Sequence, residues 1–538
     1  MAAVYRIGCD TRYLCLDINN AAPCRKIVVR EGDKPVYDLD VYLAEPGMES
    51  VRMYADLHPF LGKELTFLLA EGDKEVPYNA VLAGERAGES DYLTHLRPMV
   101  HFTSRYGWNN DPNGLIYADN VYHMFYQHNP AGTRWGNMHW GHAASGDLLH
   151  WVEKPEALYP DIHGTMFSGS AVADYDNVTG LKEGEYTPIL LYYTAAGGTS
   201  LLSAGQPFAQ FMAYSTDGGM TFRKYSDKPI LPHIIGGNRD PKIVRADELD
   251  AWIMALYLDG REYRLFTSKD LLHWTEFQTI TMPEDAECPD FYPLTCRETG
   301  ERLWVFSGAS DTYLVGLLSE NGFYPIQEPL AYRLGGGGSY AAQTFWGTGD
   351  RIIKIAWGQM DAPDAEFCSQ MLFPVDVTLH RNSDGKYRLA TSPIADISKL
   401  HMMDVRVDKS ASRKCPLRYQ LKGCAYDLTI RVGYDTAPVR CEIYGITLTI
   451  DAAANRILLP GREIPLAYSW DSPCREHAVR LIVDTISLEV FADGGKIYTA
   501  LKAEPDFTKD QLLLYPAAED GREDISVDLA PLHRIWQG

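Results

Sequence analysis

Apolar and polar positions along this chain alternate with a period of two far more often than with the 3.6-residue period of a helix. Runs such as Leu115-Ile-Tyr, Val121-Tyr-His-Met-Phe-Tyr, Pro188-Ile-Leu-Leu-Tyr-Tyr-Thr and Leu303-Trp-Val-Phe-Ser are rich in β-branched and aromatic residues and stop at Gly, Pro, Asn or Asp. They predict short strands broken by turns. Helical periodicity is almost absent, so the fold class expected is all-β.

One short unit recurs. Ser145-Gly-Asp-Leu-Leu-His-Trp151 returns as Ser268-Lys-Asp-Leu-Leu-His-Trp274, with looser copies at Ser215-Thr-Asp-Gly-Gly-Met-Thr-Phe222 and Ser319-Glu-Asn-Gly-Phe323. Each follows an expected strand and ends in an aromatic. The Asp can hydrogen-bond its own turn while the ring fills the space between strands. Recurrence of such a unit suggests a β-propeller, in which small sheets repeat around an axis.

Three segments follow from the pattern. Residues 1 to about 95 alternate like a small N-terminal β domain, as in Lys26-Ile-Val-Val-Arg; residues from about 96 to 390 hold the repeats. Residues from about 400 to 538 read as a C-terminal β-sandwich, with Tyr426-Asp-Leu-Thr-Ile-Arg-Val and a long strand pair ending at the turn Asp493-Gly-Gly495. The length agrees, because single cores stop growing at roughly 250–300 residues.

Composition narrows the function. Hydrophobic residues make up 46% and charged residues 23%, ordinary for a globular chain. The formal net charge of -22 excludes a nucleic-acid binder, which needs a basic face, and argues against a membrane surface as partner. No export signal or membrane span is legible, so a cytoplasmic enzyme is expected. The ten cysteines form no Cys-x-x-Cys pair and read as free thiols of a reducing compartment; no metal site or cofactor is expected.

Three acidic clusters stand out in the middle segment. Asp111 lies in Trp108-Asn-Asn-Asp-Pro-Asn-Gly114, a turn-forming run before a strand. Asp240 lies in Gly236-Gly-Asn-Arg-Asp-Pro-Lys242, where the glycine pair permits a close approach to a ligand. Glu284-Asp-Ala-Glu-Cys-Pro-Asp290 packs four acids into seven residues, costly if all are buried together. Singly, an Asx-Pro turn, a surface ion pair and a solvated acidic loop would explain them. Together they match the needs of glycosidic cleavage, where one carboxyl attacks and another protonates the leaving oxygen. A third carboxylate nearby would raise the acid's pKa by repulsion and bind sugar hydroxyls.

These runs resemble the signatures of glycoside hydrolase family 32, which contains invertases, inulinases and levanases. Trp108 to Gly114 is similar to its Trp-Met-Asn-Asp-Pro-Asn-Gly motif, Arg239-Asp-Pro to its Arg-Asp-Pro motif and Glu287-Cys-Pro to its Glu-Cys-Pro motif, in the family's order. Tyr122 to Pro130, Trp135 to His142, Phe167-Ser-Gly-Ser170 and Ser487 to Gly494 resemble further family stretches. The resemblance implies a five-bladed β-propeller followed by the sandwich, and hydrolysis of terminal non-reducing β-D-fructofuranosyl residues in sucrose or fructo-oligosaccharides with retention. It implies Asp111 as nucleophile, Glu287 as general acid and then base, and Asp240 as transition-state stabiliser. Arg239, Asn110, Gln127, Trp135, Phe167, Ser168 and Tyr340 would shape the fructose pocket, and Cys288 would tune the acid.

The chain departs from the family pattern in three places. Asn109 replaces the usual Met, which would alter a pocket edge; Gly335 to Phe345 keeps the tyrosine as Tyr340 but lacks the acid before it; and residues 1 to about 95 have no counterpart in the simplest members. For that front segment, bracing or oligomer formation is preferred to sugar binding, and a homo-oligomer stays open. A fructosyltransferase on the same scaffold is the alternative activity, and a non-catalytic sugar-binding protein is the alternative class.

Overall fold

The computed structural model describes residues 3–72, 74–86, 92–94, 96–331, 338–362, 365–466, 475–519 and 521–536. Within them the chain is all-β, and the helical turns are short, such as Cys9–Thr11 and Ala395–Leu400. No helix of the described residues is long and apolar enough to cross a membrane. Nine cysteines are free thiols; Cys474 and Gly335 to Gly337 lie outside the described residues.

The front of the chain forms two facing sheets. One orders its strands Val4–Arg6, Glu64–Glu71, Arg25–Glu31, Lys34–Val41, with Lys74–Pro77 added on Glu64–Glu71; the other runs Val51–Asp56, Tyr13–Ile18, Val81–Ala83. Leu14, Leu16, Ile27, Val29, Leu39, Met53, Leu65 and Phe67 fill the space between them. The alternation that predicts the strands thus also builds their shared core. Tyr106 and Ala131, from farther along the chain, join that core.

Five sheets follow in sequence order; the first four are each built on four successive strands, and the fifth on Ser339–Thr344, Ile352–Gly358, Val375–Arg381 and Tyr387–Pro393, with Phe367–Cys368 and Gln370–Met371 between its second and third. They begin with Gly107–Ala118, Thr165–Ala173, Arg239–Ala246, Asp290–Thr295 and Ser339–Thr344. These five first strands contact one another in cyclic order, and Ser339–Thr344 returns to Gly107–Ala118. Phe367–Cys368 also pairs in parallel with Gly107–Trp108, tying the fifth sheet's connection to the first sheet.

The recurring Ser-x-Asp unit joins the third strand to the fourth in the first three sheets. Asp147 Oδ1 accepts from the amides of Leu149 and His150 at 3.0 and 2.9 Å. Asp270 repeats the pattern with Leu272 and His273 at 3.0 and 2.8 Å, and Asp217 with Met220 and Thr221 at 3.0 Å each.

The last segment forms two six-stranded sheets, one containing Tyr426–Gly433, Glu476–Val483 and Ser487–Ala492, the other Val439–Ile443, Ile446–Asp451 and Gln511–Pro516. They enclose one apolar core. A second cluster runs from the middle sheets into Ile482, Phe491, Tyr498 and Trp536, so the two regions share buried surface.

Candidate active site

All ten residues expected from the sequence line one cavity of about 540 Å³: Asp111, Asp240, Glu287, Asn110, Gln127, Trp135, Phe167, Ser168, Arg239 and Tyr340. Phe208, Gly237, Cys288 and Trp357 complete its wall. Another cavity, of about 490 Å³, opens between the front sheets and residues 155–162 and 220–224; none of the ten lines it.

Interruptions in strand pairing coincide with the side chains that line the cavity. Where the first strands pair with their neighbours, the register shifts between Phe167 and Gly169, between Arg239 and Lys242, and between Tyr340 and Gln343. A fourth shift, opposite Tyr126 and His128, falls at Asn110 and Asp111. Each bulge turns a side chain out of the ladder at the cavity. Gly169 is required beside Ser168, because a Cβ there would sit 1.9 Å from the carbonyl oxygen of Tyr192. Asp240, Glu287, Cys288 and Ala341 all have positive φ (67°, 60°, 38° and 50°), a cost that residues with side chains bear where a site demands it.

Asp111 is held by two donors: Asn110 Nδ2 to Oδ1 at 3.0 Å and Ser168 Oγ to Oδ2 at 2.6 Å. Gln127 Nε2 donates to Ser168 Oγ at 2.9 Å, and Trp108 Nε1 to Asn110 Oδ1 at 2.8 Å, so the donors are themselves fixed. Burial raises the Asp111 pKa, opposed by Ser168, Asn110 and Cys288. Asp240 is only 6% exposed and accepts the Cys288 amide at 3.0 Å. Burial pushes its pKa up to about 7, against the pull of Arg239 and with the push of Asp111. The Cys288 thiol stands 3.5 Å from both Asp111 Oδ2 and Asp240 Oδ2. Burial and those carboxylates raise its pKa far enough to keep it a neutral donor.

Glu287 corrects one expectation. Burial does act to raise its pKa, but Tyr340 OH, donating to Oε2 at 2.7 Å, and Arg239 Nη2, donating to Oε1 at 2.5 Å, outweigh it and hold the carboxyl below its ordinary value. The neighbouring carboxylates push up Asp240 instead, where no cation touches as closely: Arg239 Nε is 3.8 Å away. The thiol of Cys288 likewise touches Asp111 and Asp240.

The acidic run 284–290 is divided rather than buried together. Glu284 is exposed. Asp285 caps the amides of Ser310 and Thr312 at 2.9 Å each. Asp290 is fully buried, 2.9 Å from Lys242 Nζ and 2.9 Å from Thr344 Oγ1. This links the third, fourth and fifth sheets. Asn109 also departs from expectation: it is fully buried, and with its amide oriented by its neighbours it donates to the carbonyls of Cys368 and Ser369 at 3.1 Å each, not to the cavity.

Phe208, Trp357, Lys242 and Asp290 were not expected. The two aromatics belong to no motif; Trp357 packs edge-on to Trp108 and Tyr340 at 5.8 and 6.2 Å. The Lys and Asp carried a signal, since each follows a cavity acid at short range, in Asp240-Pro-Lys242 and Glu287-Cys-Pro-Asp290.

Three carboxyl groups at one cavity supply the residue types that hydrolysis of a glycosidic bond needs. The class to which the site points is glycoside hydrolase. Residues 101–393 match the model of the glycosyl hydrolases family 32 N-terminal domain, and the chain belongs to that family. It is 28% identical over 509 residues to a levanase of Bacillus subtilis, covering 84% of this chain and 73% of the levanase. It is 34% identical over 314 residues to an invertase of Schizosaccharomyces pombe, covering 53% of each. Among solved structures, an exo-inulinase of Aspergillus awamori superposes with a TM-score of 0.73 at 24% identity, covering 83% of this chain and 100% of that one.

Proposed function

We propose that the protein is a β-fructofuranosidase that removes terminal non-reducing β-D-fructofuranosyl residues from sucrose or fructo-oligosaccharides with retention of configuration. The observation that carries this reading is the meeting of Asp111, Asp240 and Glu287 in one cavity. The names of the relatives, levanase, invertase and fructan β-fructosidase, support the sugar.

Asp111 is the nucleophile. It attacks the anomeric carbon of the fructosyl unit as Glu287 gives its proton to the departing glycosidic oxygen. Glu287 then takes a proton from water, whose oxygen displaces Asp111 and restores the free carboxylate. Asp240 and Arg239 hold fructose hydroxyls and balance the charge that develops on the ring. Asp240 is 6% exposed while the Glu287 side chain is 34% exposed. The acid therefore stands nearer the mouth, the leaving group points outward and the terminal fructose sits at the bottom, which supports exo cleavage.

The same reading makes the five sheets blades of a propeller around the axis where their first strands meet, supported by the cyclic contacts of those strands. The last two sheets would be its sandwich, and the front segment a separate β unit ending near residue 95.

The test is fructose release from sucrose, 1-kestose, inulin and levan by wild type, Asp111→Ala and Glu287→Ala. Each substitution is expected to lower kcat by roughly 10²–10⁴ or more while the proteins stay folded. Proton NMR of the first product should show β-fructose. Near-normal release by either variant, or α-fructose as first product, would overturn the mechanism.

A further inference from the structure

Trp135 is the most solvent-exposed of the expected pocket residues, with 55% of its surface open. It rides on the connection between Val121–Asn129 and His139–Ser145, with its ring edge-on to Phe167 at 5.8 Å. A ring so placed binds sugar well only if the backbone on either side is fixed.

The front segment grips that connection on both sides of Trp135. Ahead of it, Asn20 Nδ2 donates to Thr133 Oγ1 at 2.8 Å, and Arg134 Nη2 donates to the Asn20 carbonyl at 2.9 Å. The Arg134 guanidinium lies over the Tyr42 ring at 4.7 Å. Behind it, the Asn137 side chain bridges one residue of the front sheet: it accepts from the Asp40 amide at 2.8 Å and donates to the Asp40 carbonyl at 2.7 Å. Ala131, where the connection begins, is fully buried in the front core. His139, where it ends, is also tied down. Its Nδ1 faces the Asn137 carbonyl, which can only accept, so Nδ1 carries the proton and Nε2 accepts from Tyr37 OH at 2.7 Å. The same face reaches a second wall of the cavity: Asp38 accepts the amides of Leu201 and Leu202 at 3.0 and 3.3 Å, on the connection that leads to Phe208.

We propose that the front β segment is a clamp that sets the position of Trp135 and thereby the affinity of the cavity for its sugar, with Asn20, Tyr42 and the Asp40 backbone as positioning groups. This inference rests on the fructosidase reading. It assigns the segment a function at the active site rather than a separate sugar site.

The experiment is a cycle between the pair Asn20→Ala plus Tyr42→Ala, both outside the cavity, and Trp135→Ala. The pair should raise KM for sucrose roughly three- to tenfold, the scale of one or two lost polar contacts, and leave kcat within about twofold. Trp135→Ala should raise KM at least as much. With Trp135 already gone, the pair should add less than about twofold, because contacts that act through one residue are not additive. Hydrogen–deuterium exchange provides a readout free of activity: peptides covering residues 130–138 should exchange faster in the pair while the remaining middle sheets do not change. A pair that leaves KM or that exchange at wild-type values overturns the clamp. So does a pair that raises KM by the same factor with and without Trp135. If wild type releases no fructose from any of the four sugars, the fructosidase reading is what fails, and unaltered protection of 130–138 in the pair would still dispose of the clamp separately.

Discussion

Two demands meet on Glu287. As the proposed acid it must carry a proton, yet Tyr340 and Arg239 both stabilise its ionised form and depress its pKa. As the proposed nucleophile Asp111 must be an anion, yet burial raises it. Each shift therefore runs against the role that the proposed mechanism gives the group. Removing the phenol donor should change this in a known direction. Without Tyr340 OH, ionised Glu287 loses a stabilising hydrogen bond, its pKa rises, and the protonated acid persists to higher pH. Tyr340→Phe is expected to move the alkaline limb of kcat/KM to higher pH. The pH profile of sucrose hydrolysis measures it; a limb that stays put or moves down contradicts the assignment of Glu287 as acid. That the three carboxyls gather at one cavity was legible in the sequence, through the residue types that cleavage chemistry demands and the motifs around them. The direction of the Glu287 shift was not, because it depends on which of three neighbouring acids the Arg239 guanidinium and the Tyr340 phenol reach.

At the scale of the element, the Ser-x-Asp turn shows what a short repeat can reveal. In two copies the Asp side chain accepts the same pair of amides, two and three residues on, and the ring of His150 or His273 meets its Oδ2 at 2.9 and 2.7 Å. In the third, Thr221 Oγ1 replaces the imidazole. The repeat was readable because the turn is closed by its own side chains and needs no distant partner. The bulges at Ser168, Asp240 and Ala341 left no comparable mark, since pairing register depends on the neighbouring strand. The contacts of Asn20 and Asn137 look like ordinary turn residues in sequence, and the walls Phe208 and Trp357 are placed by shape. The turn itself should contribute stability but not catalysis. Burial acts to raise the pKa of Asp270, but donors from His273, Leu272 and Ser268 bring it down to about 2. A depressed carboxyl stabilises the fold above its unfolded pKa near 4, and that contribution fades as pH falls toward 2. Asp270→Ala should thus cost about 1–2 kcal/mol at pH 7, with fructose release unchanged. Thermal melts at pH 7 and pH 3 should show the gap to wild type narrowing in acid; a gap that widens would contradict the sign.

Across the whole molecule, one of the last two sheets is bolted to the middle ones by a buried charge cluster. His101 Nδ1 meets Asp484 Oδ2 and its Nε2 meets Glu489 Oε1, each at 2.7 Å, and all three side chains are fully buried. Asp484 also takes the amides of Met99 and Val100, and Glu489 those of the Phe373 amide and the Tyr498 hydroxyl, so the cluster spans the start of the middle segment, its fifth sheet and the C-terminal sheet. Burial alone would lower the histidine pKa, but the two carboxylates overcome it and raise it to about 9. A raised histidine contributes fully below its unfolded pKa near 6.5, and the contribution is lost as pH rises through about 9. His101→Gln removes the cation and leaves two buried carboxylates uncompensated, a change expected to cost about 3–5 kcal/mol at pH 7. Calorimetry from pH 6 to 10 decides it. The wild-type melting temperature should fall toward pH 10 while the variant, already lower, stays nearly level over that range, so the two curves converge. Because apolar packing also runs across the boundary through Ile482, Phe491 and Trp536, the middle and C-terminal sheets should melt in one transition in wild type. A variant that splits into two transitions would assign the cooperativity to His101; one that keeps a single, lower transition would assign it to the shared apolar core.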